Sequence, residues 1–231
     1  AANNLGTLYR DGRGVATNMD EAARWFRVAA DAGDANGQYN LATLLESAPA
    51  TQDEALAWYR RAAGQNLAAA QSRLGWLLLN RNQDAEAVQW LTRAAGQNDV
   101  QAQNNLGVLY ENGRGVEKKP ATAAQWYRRA ADAGDAAAQN NLGALLRDGH
   151  GVPQDFTQAA EWFKRAADQG YAKAMLNLGA LYEQQAKATA GAPRPSAPAQ
   201  APRPQSQIVP IANPLPVAPA PTAIPLQAPV A

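Results

Sequence analysis

Residues 123–152 read "AAQWYRRAADAGDAAAQNNLGALLRDGHGV". Ala123, Trp126, Tyr127, Ala130 and Ala131 recur at i, i+3, i+4, i+7 and i+8, which is one face of an α-helix. Gly134 follows eight residues after Trp126 and suits the left-handed position that ends a helix. Asp135 can then cap a second helix, whose apolar stripe is Ala138, Leu142, Leu145 and Leu146. Gly143, next to the anchor Leu142, has no side chain and lets a neighbouring helix come close. Gly149-His150-Gly151-Val152 closes the stretch as a turn. The unit is therefore a helix B, a tight turn, a helix A and a looser loop.

The unit repeats. Taking the Leu of helix A as anchor gives Leu5, Leu41, Leu74, Leu106, Leu142 and Leu178, with steps of 36, 33, 32, 36 and 36 residues. The Trp of helix B recurs as Trp25, Trp58, Trp90, Trp126 and Trp162, and each lies 16 residues before the next anchor. All length variation falls between the anchor Leu and the following Trp, so that loop is variable and the B-to-A junction is rigid. Position Trp−3 is Ala throughout, as are Trp+4 and Trp+5. A large Trp flanked by Ala predicts close helix approach around a bulky plug. Asn18-x-x-Glu21, Thr51-x-x-Glu54 and Asp155-x-x-Gln158 read as capping boxes, and Pro120 falls at a first helical position. Gly33, Asn66, Asn98, Gly134 and Gly170 are the stops, and Asp34 and Asp99 are caps like Asp135.

With 231 residues and 46% of them hydrophobic, the chain can build a sizeable domain. A formal net charge of +1 lacks the basic excess of a nucleic-acid binder. There is no cysteine, hence no disulfide framework, and no run is apolar and long enough to span a bilayer. Composition changes near Gly191: 12 of the 15 prolines follow it, which predicts a flexible Pro/Ala-rich tail over 186–231. The solenoid proper is expected over 1–185, as five repeats plus a final helix A. The first helix A lacks its first turn, so the chain reads as truncated or processed.

The pattern A-x-x-x-L-G-x-L-Y-x-x-G-x-G-V followed by A-x-x-W-Y-x-R-A-A-x-x-G resembles the Sel-one-like repeat, a relative of the tetratricopeptide repeat, over about residues 1–185. The tetratricopeptide period of 34 fits less well. The resemblance implies an all-α, α/α solenoid: a right-handed superhelix of antiparallel helix pairs, with helices A on the concave side. It also implies an adaptor that assembles protein complexes, and it favours a bacterial periplasm or envelope over the cytoplasm. Cysteine-rich members staple each repeat with disulfides, which this chain cannot do, and no Ser-x-x-Lys supports the penicillin-binding activity ascribed to some.

Chemistry is scarce. His150 is the only histidine, and it sits in a loop where the other copies carry Arg13 and Arg114. The Gly-x-Gly-Val loops lack the preceding strand and Lys-Ser/Thr of a phosphate site, so Val15, Val116 and Val152 are read as tucking under the repeat. No metal-ligand cluster is legible, and no cofactor is expected. Residues Trp+2 and Trp+3 are mostly basic. They read as a solvated outer face, with Arg27, Arg128 and Lys164 in reach of Asp31, Asp132 and Asp168.

Helix A is more informative. Asn4, Asn40, Asn105, Asn141 and Asn177 occupy anchor−1, with Arg73 the exception. An amide carries donor and acceptor together, so this ladder can pair with the backbone of an extended peptide. Equally, it can bond a neighbouring helix and hold the curvature. The Asn before it looks interchangeable, since Tyr39, Ser72 and Leu176 replace it. Arg73 and Trp76 share one helix face in copy three and are hot-spot residue types. They form a candidate specificity anchor, or else Trp76 fills the space of the missing loop. The expected function is a non-catalytic scaffold binding an extended peptide or protein partner in the concave groove. The alternative is an inhibitor-type protein, immunity or regulatory, that plugs a folded enzyme. Self-association through the uncovered terminal repeats or the tail is a further expectation.

Overall fold

A computed structural model describes residues 1–189, and these are all-helical, with no strand among them. Residues 190–231, which hold the Pro-rich stretch, lie outside the described residues. The chain divides inside helix α5 (Ala68–Asn80) into two compact units. The first contains α1 (Ala2–Asp11), α2 (Met19–Asp31), α3 (Ala35–Leu45), a 3₁₀ turn (Pro49–Thr51), α4 (Gln52–Gly64) and most of α5. The second, from Leu78, contains α6 (Asp84–Gly96), α7 (Val100–Asn112), α8 (Pro120–Asp132), α9 (Ala136–Asp148), α10 (Phe156–Asp168) and α11 (Ala172–Thr189). Within each unit consecutive helices pack on one another, and A helices of successive repeats also touch, as in α1 with α3 and α9 with α11. This is the helix-pair repeat expected from the sequence. The last helix runs beyond residue 185, to Thr189.

The B-to-A junction is rigid for three reasons. Gly33, Asn66, Asn98, Gly134 and Gly170 all take positive φ. The Asp34, Asp99 and Asp135 carboxylates accept from backbone N–H groups at the start of α3, α7 and α9. Finally, at four of the five junctions the Gln three residues before the anchor reaches back to the preceding helix B. Gln38, Gln71, Gln103 and Gln139 donate to the carbonyls of Ala30, Ala63, Ala95 and Ala131 at 3.2–3.3 Å. The constant spacing of 16 is thus a bonded clasp as well as a short turn.

Two capping expectations hold and one does not. Asn18 accepts from Asp20 and Glu21, and Asp155 accepts from Gln158. Thr51 makes no cap bond. Its hydroxyl instead donates to the Ala48 carbonyl at 3.1 Å, because Pro49–Thr51 forms a 3₁₀ turn that turns it away from α4.

The bulky plug is the residue after Trp, not Trp itself. Phe26, Tyr59, Leu91, Tyr127 and Phe163 are all fully buried. An added Cβ on Gly6, Gly107 or Gly143 would meet the ring of Phe26, Tyr127 or Phe163 at 2.4–2.8 Å. Glycine in these helices therefore creates a socket for the plug, and ring burial offsets its propensity cost of about 1 kcal/mol. In four copies the Trp carries its own Arg, three residues on, stacked over the indole. Arg61/Trp58, Arg93/Trp90, Arg129/Trp126 and Arg165/Trp162 sit 4.4–4.8 Å from ring centre. Four of the basic residues on the outer face are thus held by stacking, and Arg27 reaches Glu54 of the next repeat at 2.7 Å rather than Asp31.

Candidate functional site

Helix A carries two adjacent Asn residues, and they serve different junctions. Asn40 donates to Asn3 Oδ1 at 2.8 Å, Asn141 to Asn104 Oδ1 at 3.1 Å, and Asn177 to Asn140 Oδ1 at 2.8 Å. In each case the second Asn of one repeat grips the first Asn of the repeat before it. At these three junctions the first Asn is therefore the acceptor of the clasp. Two of its replacements have matching consequences, whereas Ser72, which also carries an acceptor oxygen, is followed by the usual Asn105. Where it is Tyr39, the next repeat carries Arg73 in place of the donor Asn. Where it is Leu176, α11 is the last described helix.

Of the ladder, Asn105 and Asn141 are buried, Asn40 and Asn177 half-buried, and Asn4 exposed. The Oδ1 of Asn177 also accepts from Arg147 at 3.4 Å. One turn apart on α7, Gln101 Oε1 and Asn104 Nδ2 are buried without a partner among the described residues. An unmet polar group of this kind costs about 1–3 kcal/mol.

At the Tyr39/Arg73 junction the chemistry changes from amide to ion pair. Arg73 donates to Glu46 through Nε at 2.8 Å and through a second nitrogen. The pair is largely out of solvent. Glu46 also accepts from the Tyr59 hydroxyl at 2.8 Å, and the Thr43 hydroxyl lies 3.0 Å from the same phenol oxygen, on its acceptor side. Burial, reinforced by the Glu46 charge, holds the Tyr59 phenol well above its ordinary pKa. Burial opposes the Arg73 charge, but the Glu46 hydrogen bond and charge, with the nearby Tyr59 and Tyr39, together outweigh it and raise the pKa. The guanidinium lies 4.5 Å from the Trp76 ring centre, and Tyr39 meets Tyr59 edge-on at 5.7 Å. Arg73 is thus a buried brace, while the half-buried Trp76 is the member that reaches the surface. The sequence reading paired Arg73 with Trp76 but missed Glu46. The available signal was an acid five residues after the anchor, in register with a Tyr after the Trp.

The loops serve packing. Arg114 clamps Asp84 at 2.8 Å and the Leu79 carbonyl at 2.7 Å. Val152 packs against the core of the second unit, whereas Val15 is exposed. Among the described residues no cluster of His, Cys, Asp or Glu is arranged to hold a metal, and no helix is long and apolar enough to cross a membrane.

The Sel1 repeat family model matches residues 1–34, 35–67, 68–99, 100–135, 136–171 and 172–189. A search of curated proteins found no match. Among solved structures, the chain is similar to c5321, described as a protective antigen of uropathogenic Escherichia coli strains displaying an SLR fold. Identity is 32% and TM-score 0.75, over 79% of this chain but only 41% of that one. It is also similar to a Sel1 repeat protein from Oxalobacter formigenes, with 34% identity and TM-score 0.71, over 84% of this chain and 79% of that one.

Proposed function

Because the chain belongs to the Sel1 repeat family, whose members in general mediate protein–protein interaction, we propose that it is a non-catalytic scaffold. It takes a protein or peptide partner on its A-helix face, needs no cofactor, and uses Trp76 as the anchor. The observation that carries this reading is the Glu46–Arg73–Trp76 stack. A buried, doubly bonded ion pair is a costly way to stabilise a fold. Here it fixes an indole in one orientation at a position where other copies carry Thr7, Thr43, Val108, Ala144 and Ala180. An aromatic held rigid before binding loses little entropy on contact, which is how hot spots reach high affinity.

The Asn ladder contributes in two ways. Asn4, Asn40 and Asn177, which reach solvent, offer amide groups to the backbone of the partner. Asn105 and Asn141, which are buried, act through the spacing they impose between repeats. Pull-down with the full chain followed by mass spectrometry, with Trp76→Ala in parallel, tests the proposal. The expected result is a partner retained by the parent chain and lost by a variant with unchanged circular dichroism. Equal recovery by a folded Trp76→Ala protein would refute the anchor.

A further inference from the structure

We propose that α11 is a self-association face on which two copies pair antiparallel, each filling with its Tyr182 the socket that Gly179 leaves open in the other. The inference rests on α11 alone and is independent of the Trp76 reading.

The first observation is an empty socket. The anchor+1 glycines Gly6, Gly107 and Gly143 each receive the plug ring of their own helix B, whereas around Gly179 nothing described lies within 4 Å. The second is that α11 exposes apolar side chains, two of them at positions that are mostly polar in the other repeats. Met175 stands where Gln38, Gln71, Gln103 and Gln139 form the clasp, and it is 50% exposed. Leu176 stands in the acceptor-Asn position and is 74% exposed, and Tyr182 is 51% exposed. An end repeat normally carries a polar outer face for solubility, and this one does the opposite.

The third observation names the chemistry of the occupant. The residue at anchor+5 follows the plug. Glu46 accepts from Tyr59 at 2.8 Å and Glu111 from Tyr127 at 2.7 Å. The copies plugged by Phe26 and Phe163 carry Arg10 and Arg147 there, and the copy plugged by Leu91 carries Leu79. In α11 the position is Glu183, so the matching plug is a tyrosine with its hydroxyl turned to that carboxylate. Residues 190–231 contain no Phe, Tyr or Trp and cannot supply it. A second copy can. Placing Gly179 opposite Tyr182 of the second copy in an antiparallel pair places Tyr182 opposite the second Gly179 by the same operation. The contact is isologous and closes at two. Helical side chains lean toward their own N-terminus. In an antiparallel pair the ring of Tyr182 therefore leans toward Glu183 of the other copy, the same sense in which Tyr59 meets Glu46. Met175, Leu176 and Tyr182 offer roughly 300 Å² per copy, about 600 Å² for the pair, which is below the standard interface size and makes the pair a weak, transient one.

Sedimentation velocity on the full chain from low to high micromolar concentration tests this. The expected result is a monomer–dimer equilibrium that weakens at least tenfold in Tyr182→Ala and several-fold in Tyr182→Phe, which loses only the hydroxyl. Gly179→Leu, which raises helix propensity and fills the socket, is expected to abolish the dimer while circular dichroism is unchanged. A full chain that remains monomeric throughout overturns the proposal. So does a dimer whose affinity is untouched by both Tyr182→Ala and Gly179→Leu.

Discussion

Replacing Arg73 by Met keeps the length and apolar stem of the side chain and removes the guanidinium. Two charge-assisted hydrogen bonds to Glu46 disappear, each worth about 1.5–3 kcal/mol, together with the stack on Trp76, about 1 kcal/mol. Against this, the cost of burying the guanidinium is recovered, several kcal/mol by itself. What remains is a carboxylate in a largely buried place with only Tyr59 to donate to it. Breaking one side of a buried pair costs about 3–5 kcal/mol, and the surviving Tyr59 bond places Arg73→Met near about 3. For a chain of this size that lowers Tm by about 6–12 °C. Glu46→Gln alone strands the arginine and is expected to cost a similar amount. The double variant removes both charges and should lie within about 1 kcal/mol of the better single variant, because the penalty belongs to the pair. The assay is urea unfolding followed by far-ultraviolet circular dichroism and tryptophan fluorescence. A loss below about 1 kcal/mol for Arg73→Met, or simple additivity in the double variant, would mean that the pair is not the brace described above.

The Asn clasp gives a second cycle. Asn141→Ala is expected to cost about 1–2 kcal/mol, and Asn104→Ala/Asn141→Ala little more, since both ends of one bond have gone; thermal unfolding of the three variants reads the coupling. Gly107→Ala drives a Cβ to 2.4 Å from the Tyr127 ring and should destabilise by about 1–2 kcal/mol after its propensity gain, whereas Gly179→Ala, which meets nothing described, should stabilise by up to about 1 kcal/mol when compared at low concentration. Glu54 is held below its ordinary pKa of 4.5, because the hydrogen bonds from Arg27 and Trp58 and the Arg27 charge outweigh partial burial. Its stabilisation is therefore present above pH 4.5 and is lost as pH falls through the depressed folded value. The pair is half-exposed, so the effect is a few tenths of a kcal/mol, best seen as a carboxyl NMR titration that moves upward in Arg27→Ala.

Period, helix pairing and caps are legible in the sequence because they are local: Asp135 caps the helix it precedes, and Gly134 ends the helix it follows. What the sequence hides is contact between repeats. Asn140 and Asn141 are neighbours in the chain, yet their bonds run 37 residues in opposite directions, to Asn177 and Asn104. Counting each column alone makes Asn140 look replaceable. Reading Tyr39 against Arg73 across two columns exposes the pairing. Trp126 drew attention as the largest residue on its stripe, but a ring as large as indole lies at the rim under Arg129, and the smaller Tyr127 fits the socket of Gly107. Thr51 misled for a similar reason, since Pro49 two residues earlier sets a 3₁₀ turn that takes its hydroxyl elsewhere.

The staggered clasp also makes the repeats non-exchangeable. A repeat ending one junction with Asn3, Asn104 or Asn140 accepts a follower that brings an Asn donor. The repeat holding Tyr39 and Glu46 accepts one that brings Arg73. These four seams therefore use two types of connector. Duplicating copy four behind copy five joins like to like, whereas moving copy three away from copy two would leave a buried arginine facing an amide and a buried glutamate facing nothing charged. The succession of copy two and copy three is thus fixed by the chemistry of their seam, whereas the amide-type joints accept one another.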